Sequence, residues 1–553
     1  MTNRVIVLGI DGATFDILDA WIQDGAMPNL ARLLNDGTRA TLRSTIPPYT
    51  PQAWVSMMTG KTPARHGVVD FVERGEDRVA RGFASSTLIE GEAVWDTVSR
   101  HGGRVGVVNM PLTYPPREVN GYMVSGLLTP RDRQDYTFPL EIRDELLAVE
   151  PQYHPDPYEP LSLELDLANF LRWTEMGERA ARHLWQSHPV DLFISVIQTV
   201  DYLQHIVWRA LTNPSVRSKT PFNRLYSEVE RCVAAVDAAI GERLRWMDED
   251  STLFLVSDHG FQAATSWFHV NHWLRELGWL QLQPSSGALS SSWAARLGWS
   301  TRDLKALVRR LDVLGLRRHL GRANMDRLAN QVSTALNIPI DWNGTLAYAA
   351  PPTNEGICIN LRGREPNGVV EPGAHYEEVR QQVMFHLAQL RDPNTNRTVV
   401  NGVHRREDVY SGQYLDLMPD ILLEFEDRPY LVSDSTTASQ SITPIGDGYV
   451  EGRHHPKGVF AAFGPHISAG LTLPELSIVD VAPTLLYALD LPVPANLDGQ
   501  VVTQAFRAEY LAGHPIVYER SGPVLAGNRQ GSSYDKEEEE DMRRKLQGLG
   551  YIT

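Results

Sequence analysis

The stretch "STLFLVSDHGF" (251–261) decides how this chain is read. Five residues of apolar and β-branched character form a run with no polar alternation, as a strand buried on both faces requires. The run stops at Asp258-His259-Gly260. A core strand that ends in a carboxylate beside an imidazole is either finished by a satisfied turn or ends at a metal site. Four similar runs stand elsewhere: "RVIVLGI" (4–10), "RVGVVNM" (104–110), "DLFISVI" (191–197) and "GVFAAFG" (458–464).

Helical patterns separate these runs. "MPNLARLLNDG" (27–37) carries Pro28 at a helix start and Gly37 past its end. "RLYSEVERCVAAVDAAIGERLRWM" (224–247) and "DVAPTLLYALDL" (480–491) have apolar residues at helical spacing. Strand–helix alternation over this length predicts an α/β fold: a doubly wound, mostly parallel central sheet flanked by helices.

Residues 1–280 and 346–515 are expected to form that core. Between them, 281–345 contains the Ser/Gly-rich "PSSGALSSSW" and a helical pattern, and reads as an inserted, mainly helical cap. From Arg296 to Arg327 it carries nine basic residues against three acidic ones, as a solvated helical face or a substrate-steering patch would. The tail, 516–553, contains "DKEEEEDMRRKLQGLGY", where acids precede bases at helical spacing. It predicts a surface helix.

The bulk numbers exclude several classes. With 553 residues and 42% hydrophobic content the chain can bury a large core. A net charge of −16 argues against a nucleic-acid polymer as partner. Two cysteines, Cys232 and Cys358, cannot form a disulfide scaffold and suit a reducing compartment. No stretch approaches the ~20 apolar residues of a membrane span, and the first apolar run is too short for a signal peptide. A soluble, cytoplasmic protein is expected.

Four segments place ligand-type side chains at strand ends, where open α/β sheets bind ligands. Asp11 follows the first strand; alone, it would read as a helix cap. Asp201 and His205, in "DLFISVIQTVDYLQH", are four apart and share a helix face. Asp258 and His259 end the opening stretch. His454 and His455 precede a strand in "EGRHHPKGVFAAFGP". Together these segments offer three carboxylates and three imidazoles, an inventory for two adjacent divalent metals. Mixed N/O ligands favour zinc, with manganese as the alternative. In "STIPPYTPQAWVSMMTGKTPARHG" (44–67), Thr50 stands just before a helical pattern, where it serves as an N-cap or as a nucleophile beside the positive end of the helix.

In order and context, Asp11, Thr50, Asp201, His205, Asp258, His259 and His454 resemble the alkaline phosphatase superfamily, and most closely its type I phosphodiesterase/nucleotide pyrophosphatase branch. The similarity covers roughly 1–280 and 345–510, with "TPQAWVSMMTGKTPARHG", "SDHG" and "DVAPTLL" as its segments. It implies one metal held by Asp201, His205 and His454 and another by Asp11, Asp258 and His259, with Thr50 touching the second. His454 is preferred to His455 because "HHPKG" fits the H-x-P-x-G pattern from His454. The implied activity is hydrolysis of a small phosphate ester, a phosphodiester or pyrophosphate, through a phospho-threonine intermediate. Phosphomonoester hydrolysis and phosphotransfer are the alternatives, and a non-catalytic metal-binding homologue is a third. The branch usually carries an Asn a few residues after the "HG". Here "HGVVDF" offers Asp70 and Phe71 instead.

Overall fold

The computed structural model describes residues 3–158, 163–218, 222–283, 339–351, 355–436, 438–445, 452–520, 522, 527, 533–549 and 551. Most of the expected cap, 284–338, therefore lies outside the described residues.

The main sheet contains β1 (Arg4–Ile10), β2 (Thr38–Arg43), β3 (Val105–Asn109), β4 (Gly121–Gly126), β5 (Thr137–Phe138), β6 (Leu192–Ile197) and β7 (Ser251–Val256). A short pair follows, β8 (Gly260–Ala263) and β9 (Gly452–His455), and then β10 (Lys457–Phe463), which returns to the main sheet. The order across that sheet is β2-β10-β7-β1-β6-β3-β4-β5, with Leu471–Thr472 at the β2 edge. At the centre, β1 pairs in parallel with β6 and β7, and β3 pairs in parallel with β6 and β4. The expected doubly wound, mostly parallel sheet is present.

Alternate residues explain the unbroken apolar runs. In β1, Ile6, Leu8 and Ile10 enter one apolar cluster, while Val5 and Val7 enter another on the opposite face. Both faces are covered, so neither set of side chains is polar. The first cluster is roofed by α1 (Pro28–Asp36), α4 (Phe222–Trp246) and their neighbours. The second lies under α2 (Thr50–Thr59) and α5 (Val481–Ala488). Between these in sequence, α3 (Thr199–Thr212) follows β6 directly.

Two features differ from the sequence reading. The run at 458–464 forms β10, but it is antiparallel to both β7 and β2. Composition cannot reveal this, because a strand buried on both faces is apolar in either direction. β2, "TRATLR", is a strand the reading did not mark. Its Arg39 and Arg43 point outward into ion pairs with Asp19 and Glu424, so the run carries charges despite lying in the sheet.

Residues 346–515 were assigned to the core as a whole. Within them, Ala347–Ala349, Gly356–Ile359, Ile421–Glu424 and Gly402–Arg405 build a separate antiparallel sheet backed by the helix Ala374–Gln389. This unit has its own apolar cluster, which includes Phe268, Ile359, Val383 and Ile442. The tail does form a helix, α6 (Lys536–Leu549). Glu537 in its acidic first turn is exposed, yet Met542 and Leu546 are buried in the main core, so the helix is docked on the surface.

Candidate metal centre and nucleophile

Three strand ends converge at one edge of the sheet. Asp11 follows β1, Asp258 and His259 follow β7, and α3 begins just after β6 and brings Asp201 and His205 to the same side one turn apart. β8 continues from His259 and pairs antiparallel with β9, with Phe261 opposite His454. This pairing carries His454 into the site from more than 190 residues away. Two glycines permit the convergence. Gly12 has φ +67°, and a Cβ there would stand 3.0 Å from Asp201 Oδ1. A Cβ on Gly260 would lie 2.0 Å from the Lys457 carbonyl oxygen. Gly260 thus lets two strands touch.

The predicted residues gather into two groups, Asp201–His205–His454 and Asp11–Asp258–His259, each with ligand atoms within 4.8 Å of one another. In the first, His205 Nε2 and His454 Nε2 are 3.1 Å apart, and they lie 3.6 and 3.5 Å from the two oxygens of Asp201. In the second, His259 Nε2 lies 3.2 Å from Asp258 Oδ2 and 3.6 Å from Asp11 Oδ1. The groups adjoin: the rings of His259 and His454 stack with centroids 3.8 Å apart. His455, the neighbour of His454, lies outside both groups; its Nδ1 accepts a hydrogen bond from the Lys457 N–H.

Supporting bonds set the ring orientations. His259 Nδ1–H donates to the Gly260 carbonyl at 3.0 Å, and His454 Nδ1–H donates to that of Pro48 at 3.1 Å. Each ring is left with its Nε2 lone pair facing inward, as an imidazole ligand needs. The Trp54 indole N–H donates to Asp11 Oδ2 at 3.0 Å, and the Gly12 N–H donates to Asp258 Oδ1 at 3.3 Å. The Tyr551 hydroxyl donates to Asp201 Oδ2. Sequence reasoning missed both Trp54 and Tyr551. Trp54 sits in a helix buried on all sides, where an indole reads as packing. Nothing near position 551 links it to position 201.

The electrostatics are those of a site built for cations. Asp11, Asp201 and Asp258 are fully buried. Among the described residues no lysine or arginine pairs with any of them; their neighbours are histidines. Burial pushes the Asp201 carboxyl up to about 8. Burial and neighbouring carboxylates hold Asp11 and Asp258 well above the usual carboxylate range. The imidazoles go the other way. Burial lowers His454 to about 3, and burial with neighbouring imidazoles keeps His205 and His259 well below their ordinary value. Asp11 Oδ1, Asp201 Oδ1, Asp258 Oδ2 and His205 Nδ1 are buried without a hydrogen-bond partner. Three orphaned carboxylate oxygens, one or two per group, fit two divalent ions.

Thr50 is the first residue of α2, and Tyr49 occupies the N-cap position. Thr50 is therefore not the cap that the simpler reading expected. Its Oγ1 lies 3.2 Å from His259 Nε2, at the positive end of the helix. The segment after α2 braces its C-terminal half: Ser56 Oγ bonds His66 Nε2 at 2.8 Å, and Arg65 pairs with Asp498.

Comparison with known proteins places the chain in a family. The family described as type I phosphodiesterase/nucleotide pyrophosphatase matches residues 5–457. No curated protein matches in sequence. Among solved structures, two of murine ectonucleotide pyrophosphatase/phosphodiesterase 5 are similar, one of them an inactive variant in complex with AMP. Each is 13% identical, covers 90% of this chain and 97% of its own, and gives a TM-score of 0.46. With four-fifths of its length matched by one family, the chain belongs to the type I phosphodiesterase/nucleotide pyrophosphatase family.

Proposed function

We propose that the protein is a metal-dependent hydrolase of small phosphodiesters or pyrophosphates, with Thr50 as nucleophile. The observation that carries this reading is Thr50 Oγ1 beside His259 Nε2, at a helix N-terminus and against three buried carboxylates that lack a cationic partner. Asp201, His205 and His454 would hold one divalent ion, and Asp11, Asp258 and His259 the other. Their mixed N/O donors favour zinc over manganese. When bound, the pair supplies Lewis-acid charge at the attacking and leaving oxygens of an in-line displacement.

The chain's own residues do the rest. Thr50 Oγ1 forms a bond to phosphorus as the bond to the leaving oxygen breaks, and the hydroxyl proton passes in net to the leaving group. The positive end of α2 favours the phosphoryl oxygens. Water then attacks phosphorus, the Thr50–phosphorus bond breaks, and free threonine is restored. Trp54 and Gly12 hold Asp11 and Asp258 in place through both steps.

Residues 1–280 and 346–515 would form the catalytic core, with 281–345 as an inserted cap. Free, buried Cys232 and Cys358 support a reducing, cytoplasmic setting. No helix among the described residues is long and apolar enough to cross a membrane. The test is a substrate panel comparing bis(p-nitrophenyl) phosphate with p-nitrophenyl phosphate, in zinc and in manganese. Preference for the diester is expected. Preference for the monoester would transfer the assignment to phosphomonoester chemistry.

A further inference from the structure

The C-terminal tail does more than cover the core. Tyr534 stacks on Tyr114 with centroids 5.9 Å apart, and its hydroxyl donates to the Ala84 carbonyl at 3.3 Å. Glu538 pairs with Arg133 at 2.5 Å, and the buried Lys545 pairs with Asp156. Met542 and Leu546, one turn apart, enter the main apolar core. After α6, the Tyr551 N–H bonds back to the Leu546 carbonyl at 3.0 Å, and the Tyr551 side chain is buried.

Tyr551 is only 7% exposed. Its ring lies 5.0 Å from that of His205, 5.4 Å from that of His454 and 5.2 Å from that of Phe71. Its hydroxyl meets Asp201 Oδ2. One residue at the end of the chain thus touches all three members of the first group. The phenol occupies one oxygen of Asp201 and leaves the other, Oδ1, bare and 3.5 Å from His454 Nε2. A carboxylate held at Oδ2 cannot swing its free oxygen away from the His454 imidazole, and the held oxygen stays 3.6 Å from the His205 imidazole. The edge-on ring contacts hold those imidazoles in turn.

We propose that the tail is a strap that completes the phosphoester site, with Tyr551 as a positioning residue that orients Asp201 and the two histidines for their metal ion. The proposal rests on the metal-site reading given above. It assigns residues 534–551 a part in the chemistry, although they lie outside the stretch matched by the family. Partners that orient metal ligands contribute 10–100-fold in metal affinity.

The experiment uses the full chain, with zinc affinities measured by competition with a chromogenic chelator and the fold followed by circular dichroism. Tyr551→Phe keeps the ring and removes the hydroxyl. It should weaken one of the two zinc sites about 10-fold or more and leave the other and the fold unchanged. Lys545→Met, which loosens the strap at its Asp156 anchor, should weaken the same site. Wild-type affinity for both ions in Tyr551→Phe overturns the proposal while leaving the metal-site reading intact. Faster turnover at unchanged zinc affinity would identify the strap as an inhibitory plug and also overturns it. A wild-type chain that binds no zinc sinks both readings together.

Discussion

Replacing Asp201 by asparagine should make the metal-free protein more stable and the zinc-loaded protein less so. Asp201 is fully buried, and burial pushes its carboxyl up to about 8 from an ordinary value of 3.8. The folded chain therefore keeps a proton that the unfolded chain has lost at neutral pH. Stability is whole below the unfolded value and falls as pH rises toward the folded one. At 1.36 kcal/mol per pH unit, the cost at pH 7 is about 4 kcal/mol. Asparagine removes that titration and still accepts from Tyr551. Its amide N–H₂ needs partners of its own, so the net gain is about 2–3 kcal/mol. At pH 5 the titration costs under about 2 kcal/mol, and most of the gain should vanish. Zinc at a thousand times its dissociation constant stabilises a site by about 4 kcal/mol, a contribution the variant would lack at the first group. The assay is urea unfolding followed by tryptophan fluorescence, with and without zinc, at both pH values. A metal-free variant no more stable than wild type, or a gain independent of pH, would refute the argument that these carboxylates are strained for want of a cation.

Other outcomes follow from the same geometry. Thr50→Ala should lower phosphodiester turnover by about 10³ or more while zinc content stays at the wild-type level; full activity would remove Thr50 from the reaction. Trp54→Phe deletes the indole N–H that Asp11 Oδ2 accepts. It should weaken the second zinc site about 10–100-fold, read by chelator competition, and destabilise the fold by about 1–3 kcal/mol. His154 tests the core apart from the site. Burial and the Lys545 charge lower it to about 4, and its Nδ1 accepts from the Asp156 N–H at 3.0 Å. The unfolded chain takes up this proton below about 6.5 and the folded chain only near 4. Stability should therefore fall by about 3 kcal/mol as pH drops through that window, and His154→Gln should flatten the fall in a pH series of urea denaturations.

The fold was legible in the sequence where one physical rule governed it. A central strand buried on both faces must be apolar throughout, so β1, β3, β6 and β7 stood out. The rule gives no direction, and the antiparallel placement of β10 was hidden. It also fails for β2, where outward arginines find carboxylates and keep a charged run inside the sheet. The gathered site residues were legible because ligand-type side chains at the C-terminal ends of parallel strands converge by topology. Asp11, Asp201 and Asp258 each follow such a strand. His454 was legible only through its motif, since a separate short β-pair delivers it. Trp54 and Tyr551 were not legible. One is an aromatic residue within a fully buried helix, and the other arrives from a tail whose destination depends on the Lys545–Asp156 and Glu538–Arg133 pairs. Local pattern reports which face a residue takes, and long-range docking decides what it meets.

The measurement closest to the central claim is native mass spectrometry of the intact chain titrated with zinc. Two ions bound per chain are predicted, one lost in Asp201→Asn and the other in Asp258→Asn. A chain that binds no zinc or a single ion, or that keeps both ions in either variant, would contradict the account.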